Sequence, residues 1–218
     1  MKADRIVVID YGAGNLASVQ NVLRHLGAEF FVTSRPEEVM SAGSLIFPGD
    51  GEAAASMSEL RRTGMDQALR SFHASGRKML GICIGCQVIF THSDERDTAC
   101  LGLIPGDVRR FVTAPGMKVP HMGWNTVRFS SDHPVFAGLP PDSSFYFIHS
   151  YYPVPSHGAC VAGTTEYGLE FASAVAADNL VAVQFHPEKS GRVGLQLLAN
   201  YLAWDGFWQE DVREPLRA

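Results

Sequence analysis

The fold is decided by the stretch Lys78-Met79-Leu80-Gly81-Ile82-Cys83-Ile84-Gly85-Cys86-Gln87, which joins a buried strand to a sharp turn. Residues 78–82 form an apolar run of strand length, and we predict that the next helix begins over residues 87–90. Glycines flank Cys83 because such a turn is strained and neighbouring side chains would clash with the backbone. The pattern Gly-x-Cys-x-Gly is the cysteine form of a nucleophile elbow, which presents the thiol at the carboxyl end of a sheet.

Strands and helices alternate on the amino-terminal side of this elbow. Residues 6–10 are an apolar run ending in an acid, which is typical of a strand buried on both faces. Apolar residues recur at helical spacing from Leu16 to Leu26, with Asn15 as a predicted N-cap and Gly27 as a C-cap. Further predicted elements are strands at 29–33 and 44–47, the latter stopped by Pro48-Gly49, and a helical stretch at 53–75 broken at Thr63-Gly64.

The second half of the chain has a different character. Short strand candidates joined by Gly, Pro, Ser and Asp turns occur at residues 108–113, 126–129, 145–148, 159–164, 171–176 and 180–185. A final helix is predicted over residues 190–204. We therefore predict an α/β fold: an open, mostly parallel central sheet flanked by helices, with an additional antiparallel region in the second half. The simplest organisation is one domain over residues 1–204, followed by a tail of unknown role at 205–218.

Composition excludes several classes of function. The chain has 218 residues, 46% of them hydrophobic and 19% charged, which is typical of a globular domain. A formal net charge of −5 argues against a non-specific nucleic-acid binder. Apolar runs such as Leu180–Val183 are too short to cross a membrane, and the amino terminus does not resemble a secretory signal. Four cysteines without regular spacing indicate reduced thiols, and hence a cytoplasmic location.

The elbow cysteine has three competing interpretations. It can be a nucleophile, or a glycine-flanked cysteine of the core. Cys83 and Cys86 also have the spacing of a Cys-x-x-Cys redox pair, although the flanking glycines are better explained by an elbow. A zinc site would need two more ligands at suitable spacing, and Cys100 and Cys160 belong to no such pair. We therefore predict no metal site.

A partner for the thiol follows the apolar strand that ends near Val183. His186 leaves a strand end and can stand beside a thiol on a neighbouring strand end, where it would act as general base. Glu188, just past the rigid Pro187, can turn back and accept the other imidazole N–H. An isolated histidine here would more simply cap local polar groups. Together with the elbow, the sequence predicts a Cys83–His186–Glu188 triad.

A second strand-end loop, Pro48-Gly49-Asp50-Gly51, has the freedom to aim backbone N–H groups at a developing oxyanion. The N–H of Ile84, directly after the nucleophile, would be the other donor. The loop alone could equally be an ordinary tight turn.

These residues resemble the class I, triad-type glutamine amidotransferases, and more narrowly the glutaminase subunits of imidazole glycerol phosphate synthases. The resemblance covers roughly residues 5–204. The elbow and the His-Pro-Glu segment are typical of the superfamily. The segments that single out the subunit include Asp10-Tyr11-Gly12-Ala13-Gly14-Asn15, Pro120-His121-Met122-Gly123-Trp124-Asn125 and His149-Ser150-Tyr151-Tyr152.

The resemblance implies an enzyme of histidine biosynthesis that hydrolyses glutamine without a cofactor. Ammonia would pass to a (β/α)8-barrel synthase subunit, bound as a heterodimer, which forms imidazole glycerol phosphate and an aminoimidazole carboxamide ribotide. It also implies roles in holding glutamine for Gly51, Gln87, Glu95, Ser150 and Tyr151, and an interface or ammonia-gate role for Trp124 and Lys189. Two alternatives stay open: a paralogous subunit feeding a different barrel synthase, for instance in surface-sugar amidation, and a silent homologue that only binds a partner.

Three positions depart from the family pattern. Asp50 stands where an apolar residue is common, so we expect only its backbone N–H to serve the oxyanion, with the side chain pointing away. Cys86 stands where methionine is common, and we hypothesise that oxidation could join it to Cys83. The tail after Trp204 extends beyond the family's usual end.

Overall fold

A computed structural model describes residues 5–12, 16–112, 117–130 and 132–208. The strands of the amino-terminal half are β1 Ile6–Ile9, β2 Phe30–Thr33, β3 Ser44–Gly49, β4 Met79–Cys83, β5 His92–Ser93, β6 Thr98–Ala99 and β7 Gly106–Arg110. The remaining strands are β8 His121–Phe129, β9 Ser143–His149, β10 Tyr151–Pro155, β11 Val161–Glu166, β12 Glu170–Ala177 and β13 Leu180–Val183. The α-helices are α1 Leu16–His25, α2 Pro36–Val39, α3 Ala53–Thr63, α4 Met65–Ala74, α5 Ile84–Gln87 and α6 Gly191–Ala203.

Nine of the described strands form one mixed sheet in the order β2-β1-β3-β4-β13-β12-β11-β8-β9. The five strands from β2 to β13 are parallel, and every pairing from β13 to β9 is antiparallel. The predicted α/β class, with its parallel centre and its antiparallel extension, is therefore confirmed. The order places β4 and β13 side by side, so that their carboxyl ends meet.

A smaller sheet in the order β10-β7-β5-β6 lies beside the elbow. Its strand β10 begins two residues after β9 ends, so the chain passes from the large sheet to the small one at Ser150. The Ser150 carbonyl accepts a hydrogen bond from the Phe111 N–H at 3.0 Å, which holds this crossover. The crossover becomes one wall of the site described below.

Hydrophobic residues cover both faces of the large sheet. Leu60 of α3 and Leu69 of α4 belong to the cluster on one face. Leu23 of α1 and Leu197 of α6 belong to the cluster on the other face. Parallel strands buried on both faces explain why the sequence of β1, β3 and β4 is continuously apolar.

The predicted helix over residues 87–90 is wrong in position. Helix α5 begins immediately after the nucleophile candidate and ends at Gln87 after one turn. The carbonyls of Val88, Ile89 and Phe90 accept hydrogen bonds from the backbone N–H groups of residues 101–104, and so are not available to a continuing helix. These three residues are completely buried, which explains an apolar run without helical periodicity.

Smaller differences concern the ends of elements. Strand β3 does not stop before Pro48: it continues to Gly49, with Pro48 opposite Ile82 in the register with β4. The short elements α2, β5, β6 and β10 were not predicted. The break at Thr63-Gly64 is confirmed, because Gly64 adopts φ 76° between α3 and α4. Asn15, the predicted N-cap of α1, lies outside the described residues.

The start of the predicted tail packs against the domain. The rings of His133 and Trp208 have centroids 4.9 Å apart, and the indole of Trp204 donates to the Phe207 carbonyl at 3.0 Å. Residues 209–218 lie outside the described part. Within the described residues, no helix has the length and apolarity to span a membrane, and no group of three or more His, Cys, Asp and Glu side chains could hold a metal ion.

Candidate active site

The elbow is built by close packing of backbone on backbone. Cys83 adopts φ 56° and ψ −107°, a conformation that side chains rarely adopt. A Cβ added at Gly85 would lie 1.9 Å from the Phe47 carbonyl oxygen, and one at Gly81 would lie 2.8 Å from the Gly85 carbonyl oxygen. Both glycines are therefore required by the approach of α5 to β3 and β4. The strained turn predicted from the sequence is confirmed.

His186 reaches the elbow because β13 is the parallel neighbour of β4, with Val183 opposite Ile82. The His186 backbone N–H donates to the Tyr146 carbonyl at 2.9 Å, which anchors the end of β13 to β9. The Ser190 hydroxyl donates to the His186 carbonyl at 2.6 Å and accepts from the Tyr146 N–H at 3.0 Å. These bonds hold the short turn that carries the imidazole.

The imidazole and a carboxylate form a buried pair. His186 Nδ1 and Glu188 Oε1 are 2.7 Å apart, and the two side chains are only 3% and 2% exposed. This contact leaves Nε2 facing the elbow, where it makes no hydrogen bond of standard geometry with a described residue. One ring nitrogen is thus oriented by a carboxylate, and the other is free for proton transfer.

The electrostatics favour a charged imidazole. Burial lowers the pKa of His186, but the neighbouring Cys83 and Glu188 together raise it further, so that the net pKa is raised to about 10. A proton at neutral pH therefore resides on the imidazole when negative partners flank it. The proton that His186 holds in this state is the one taken from the thiol, and it can later be delivered to a leaving amine.

A cavity of about 330 Å³ opens beside the thiol. Predicted site residues that line it are Asp50, Gly51, Cys83, Ile84, Gln87, Glu95, Ser150, Tyr151, His186 and Lys189. Two predicted residues lie behind this lining: Glu188 behind His186, and Gly49 in the register position opposite Cys83. Trp124 lies apart from the cavity.

The far wall of the cavity carries acceptors suited to an ammonium group. Gln87 Oε1 is buried and has no hydrogen-bond partner among the described residues. Glu95 Oε2 accepts from the Ala53 N–H at 2.5 Å, at the start of α3, and burial raises the pKa of Glu95. Both side chains line the cavity.

The strand end opposite the thiol is tightly packed. A Cβ added at Gly49 would lie 2.0 Å from the Tyr11 hydroxyl and 3.0 Å from Ile84 Cβ. Asp50 is exposed and lines the cavity, and the expectation that its side chain points away from the oxyanion stays a prediction. Tyr11 was not predicted as a site residue, although its own segment was part of the resemblance.

Cys86 does not share the thiol's surroundings. It is completely buried in the hydrophobic cluster that packs α3 and α4, whereas Cys83 belongs to the cluster on the other face of the sheet. Both are free thiols, and burial raises the pKa of Cys86 well above its usual range. The hypothesis that oxidation joins Cys86 to Cys83 stays a prediction.

Sequence reasoning missed four residues beside the thiol or in the cavity wall: Pro120, Ile148, His149 and Gln184. His149 Nδ1 contacts the Tyr151 carbonyl at 2.7 Å, and its Nε2 lies 2.9 Å from Nδ1 of the buried His121. Their positions in the sequence motifs offered a signal, because Gln184 stands two residues before His186. Only the fold shows which way each side chain points.

An exposed apolar face adjoins the cavity on β8 and β9. Met122 is 59% exposed and Trp124 is 60% exposed, and Met122 pairs across the sheet with the part-exposed Ile148. Ile148 also lines the cavity, so the face continues into it. Lys189 stands at the cavity wall on the short helical turn Pro187–Lys189.

The chain is similar to known proteins both in sequence and in fold. The family model for glutamine amidotransferase class-I matches residues 7–203. A Moorella thermoacetica protein named imidazole glycerol phosphate synthase subunit HisH is 49% identical over 197 residues, covering 90% of this chain and 93% of that protein. A protein of the same name from Dehalococcoides mccartyi is 46% identical, covering 90% and 95%. The solved structure of PurLQS from Thermotoga maritima matches with a TM-score of 0.72 at 16% identity, over 93% of this chain and 99% of that one, which shows the fold alone.

Proposed function

The chain belongs to the class I glutamine amidotransferase family, and we propose that Cys83, His186 and Glu188 carry out its reaction. Its curated relatives make it the glutaminase subunit of imidazole glycerol phosphate synthase, in histidine biosynthesis. The observation that carries the residue assignment is the buried His186–Glu188 contact of 2.7 Å, with the free imidazole nitrogen facing a strained elbow cysteine.

The chemistry follows from this arrangement. The Cys83 thiol gives its proton to His186 Nε2, and the sulfur attacks the side-chain amide carbon of glutamine. The carbonyl oxygen becomes an oxyanion, for which the N–H of Ile84 and the loop Gly49–Gly51 are the proposed donors. His186 returns its proton to the nitrogen as the C–N bond breaks and ammonia departs. Water then hydrolyses the thioester to glutamate and restores the thiol.

Substrate selection rests on the groups at the far end of the cavity. The unpaired Gln87 Oε1 and the Glu95 carboxylate are acceptors for the α-ammonium group of glutamine. The wall formed by Ser150 and Tyr151, together with Gly51 at the rim, completes the proposed glutamine site. An amino acid lacking the side-chain amide would leave nothing for the thiol to attack.

The proposed partner is a (β/α)8-barrel synthase subunit that forms a heterodimer with this chain. The apolar face of Met122, Trp124 and Ile148 is the proposed docking surface, because it is exposed and continues into the cavity. Lys189 lines the cavity, which supports its proposed role as an interface or gate residue. None of the four cysteines, all of them among the described residues, forms a disulfide, which supports a reducing, cytoplasmic location.

Glutamine hydrolysis in the presence of the synthase partner tests the assignment. Cys83→Ala should lower the rate by more than about a thousand-fold, because Cys83 is the one thiol among the described residues that line the cavity. Cys160→Ala, at a half-buried cysteine outside the cavity, should retain the native rate. Equal rates for the native chain and Cys83→Ala would overturn the proposal.

A genetic test addresses the pathway. Together with its barrel subunit, the chain should restore growth without histidine to an auxotroph that lacks the glutaminase subunit. Growth should be lost again with Cys83→Ala. Failure of the native pair to restore growth would assign the ammonia to a different synthase.

A further inference from the structure

One side chain that the mechanism above does not use lies against the nucleophile. Gln184 follows β13 directly and is completely buried. Its Nε2 is 3.8 Å from Cys83 Sγ, a distance at the long end for an N–H to sulfur hydrogen bond. A buried amide beside a reactive sulfur either fills space or acts on the sulfur, and its orientation decides between the two.

The orientation of the Gln184 amide follows from a backbone carbonyl, which can only accept hydrogen bonds. The Tyr151 carbonyl can only accept, so the Gln87 atom 3.1 Å from it is the amide nitrogen. The same Gln87 Nε2 lies 3.0 Å from the Gln184 amide, and its second N–H therefore selects the oxygen, Oε1. Gln184 must then present Nε2, a donor, to Cys83 Sγ. His149 Nδ1 also contacts the Tyr151 carbonyl, which anchors the chain of bonds at its far end.

We propose that Gln184 is a further catalytic residue, which donates an N–H to the Cys83 sulfur and stabilises it as the thiolate.

The contacts of the sulfur explain why this donor acts selectively. The neutral thiol can itself donate to the Ile148 carbonyl, 3.9 Å away. When the proton moves to His186, the sulfur loses that bond, whereas the bond from Gln184 gains an anionic acceptor and becomes stronger and shorter. The amide therefore favours the reactive form over the resting form. A group that stabilises both forms equally would give no advantage.

Other titratable groups act on the same sulfur and must stay in place during a test. They are His186 from the end of β13, Tyr11 after β1 and Cys86 on α5. Substitution of Gln184 alters none of them directly. The apolar Met is close to Gln in length but has no donor, so Gln184→Met removes the N–H while keeping the site filled.

The test measures the pH dependence of alkylation of Cys83 by iodoacetamide in the full-length chain, followed by mass spectrometry of the peptide that contains Cys83. This readout needs neither turnover nor the synthase partner. In Gln184→Met the midpoint of the profile should move to higher pH, and the rate at pH 7 should fall by about three- to ten-fold. Gln196→Met, on the surface of α6, is the matched control and should reproduce the native midpoint.

A second variant guards against misfolding. Gln184→Asn keeps a buried amide but withdraws it from the sulfur by one methylene, so its midpoint should also rise. A midpoint that stays at the native value or falls in a folded Gln184 variant would overturn the inference. The inference rests on the proposed role of Cys83, but the two fail differently: failure of that role would appear as glutamine hydrolysis that survives Cys83→Ala.

Discussion

Glu188 determines what His186 can do. Its carboxylate lies 2.7 Å from Nδ1 in a pair that is almost completely buried, so solvent and salt screen the interaction little. The contact fixes the ring so that Nε2 faces the thiol, and it contributes to the raised pKa of the imidazole. Glu188 thus acts on His186 in two ways, by orienting the ring and by supplying a negative charge. A substitution at Glu188 can distinguish the two effects.

Glu188→Gln keeps an oxygen in nearly the same place but removes the charge. The pKa of His186 should fall, and the imidazolium formed when the thiol gives up its proton should be less stable. We expect kcat for glutamine hydrolysis in the complex to fall by about 100- to 1000-fold. KM should change little, because Glu188 lies behind the cavity lining.

Steady-state kinetics at several glutamine concentrations check this expectation. Glu37→Gln removes an exposed carboxylate on α2 and should leave both constants at the native values. A Glu188→Gln enzyme within about three-fold of the native kcat would mean that the carboxylate only orients the ring, contrary to this account.

At the scale of elements, the elbow depends on how closely α5 approaches β3. Gly85 has no room for a methyl group, because the neighbouring atom is a backbone oxygen of Phe47 that cannot rotate away. Since β3 also carries the Gly49–Gly51 loop, any shift of α5 would disturb the thiol and the proposed oxyanion donors together. The catalytic geometry therefore depends directly on the packing of α5 against β3.

Gly85→Ala should destabilise the fold and disable the site together. Overpacking of this kind typically costs about 1–3 kcal/mol in the free energy of unfolding. Urea unfolding measures that cost, and glutamine hydrolysis by the folded fraction measures the loss of activity. Gly158→Ala is the control, because a Cβ there meets nothing within 4 Å. A Gly85→Ala chain with native stability and activity would show that the elbow tolerates a wider turn.

Sequence periodicity predicted the long elements of this fold and failed at the short ones. The apolar run of β4 and the Gly-x-Cys-x-Gly turn were sufficient to place the elbow. The helix was displaced because Val88, Ile89 and Phe90 are all buried, and a fully buried run carries no amphipathic period. Strands β5 and β6 have two residues each, too few for any alternation to be visible.

At the scale of the whole molecule, three buried histidines make stability depend on pH. Burial lowers the pKa of His121 and of His133 to about 4, and that of His149 to about 3. In the unfolded chain a histidine titrates near pH 6.5. Below that value the unfolded state therefore binds more protons than the folded state, and folding becomes less favourable.

The free energy of unfolding should accordingly fall as the pH is lowered from 7 to 5, by about 2–5 kcal/mol in total. His186 acts on the alkaline side instead: its raised pKa stabilises the fold fully below about pH 6.5, and this contribution is lost as the pH rises through about 10. Urea unfolding at pH 7 and pH 5 measures the acid side. His133→Gln should reduce the fall, because it removes one of the histidines whose pKa is lowered by burial.

The exposed His25→Gln serves as the control and should keep the native pH dependence. An undiminished fall in His133→Gln would mean that other groups cause the acid sensitivity. Because each variant is compared with itself at two pH values, a general loss of stability from the substitution cancels.

The parts of the candidate site that could be predicted from the sequence are those formed by residues close together in the chain. His186 and Glu188 are two residues apart, so their partnership is visible as a local motif. The contacts from Gln87 to Tyr151 and to Gln184 join residues 64 and 97 positions apart, and only the sheet order brings them together. Trp124 shows the limit of resemblance: its position was predicted to be special, but its exposure could not be inferred from its apolar type.

The central claim is that the carbonyl carbon of glutamine becomes bonded to Cys83 during hydrolysis. Rapid acid quenching of the complex during turnover, followed by mass spectrometry of its peptides, tests this directly. We predict a γ-glutamyl thioester on the peptide that contains Cys83, which appears with glutamine and is absent from Cys83→Ala. Hydrolysis that proceeds with no such adduct, or with the adduct on another residue, would contradict the account.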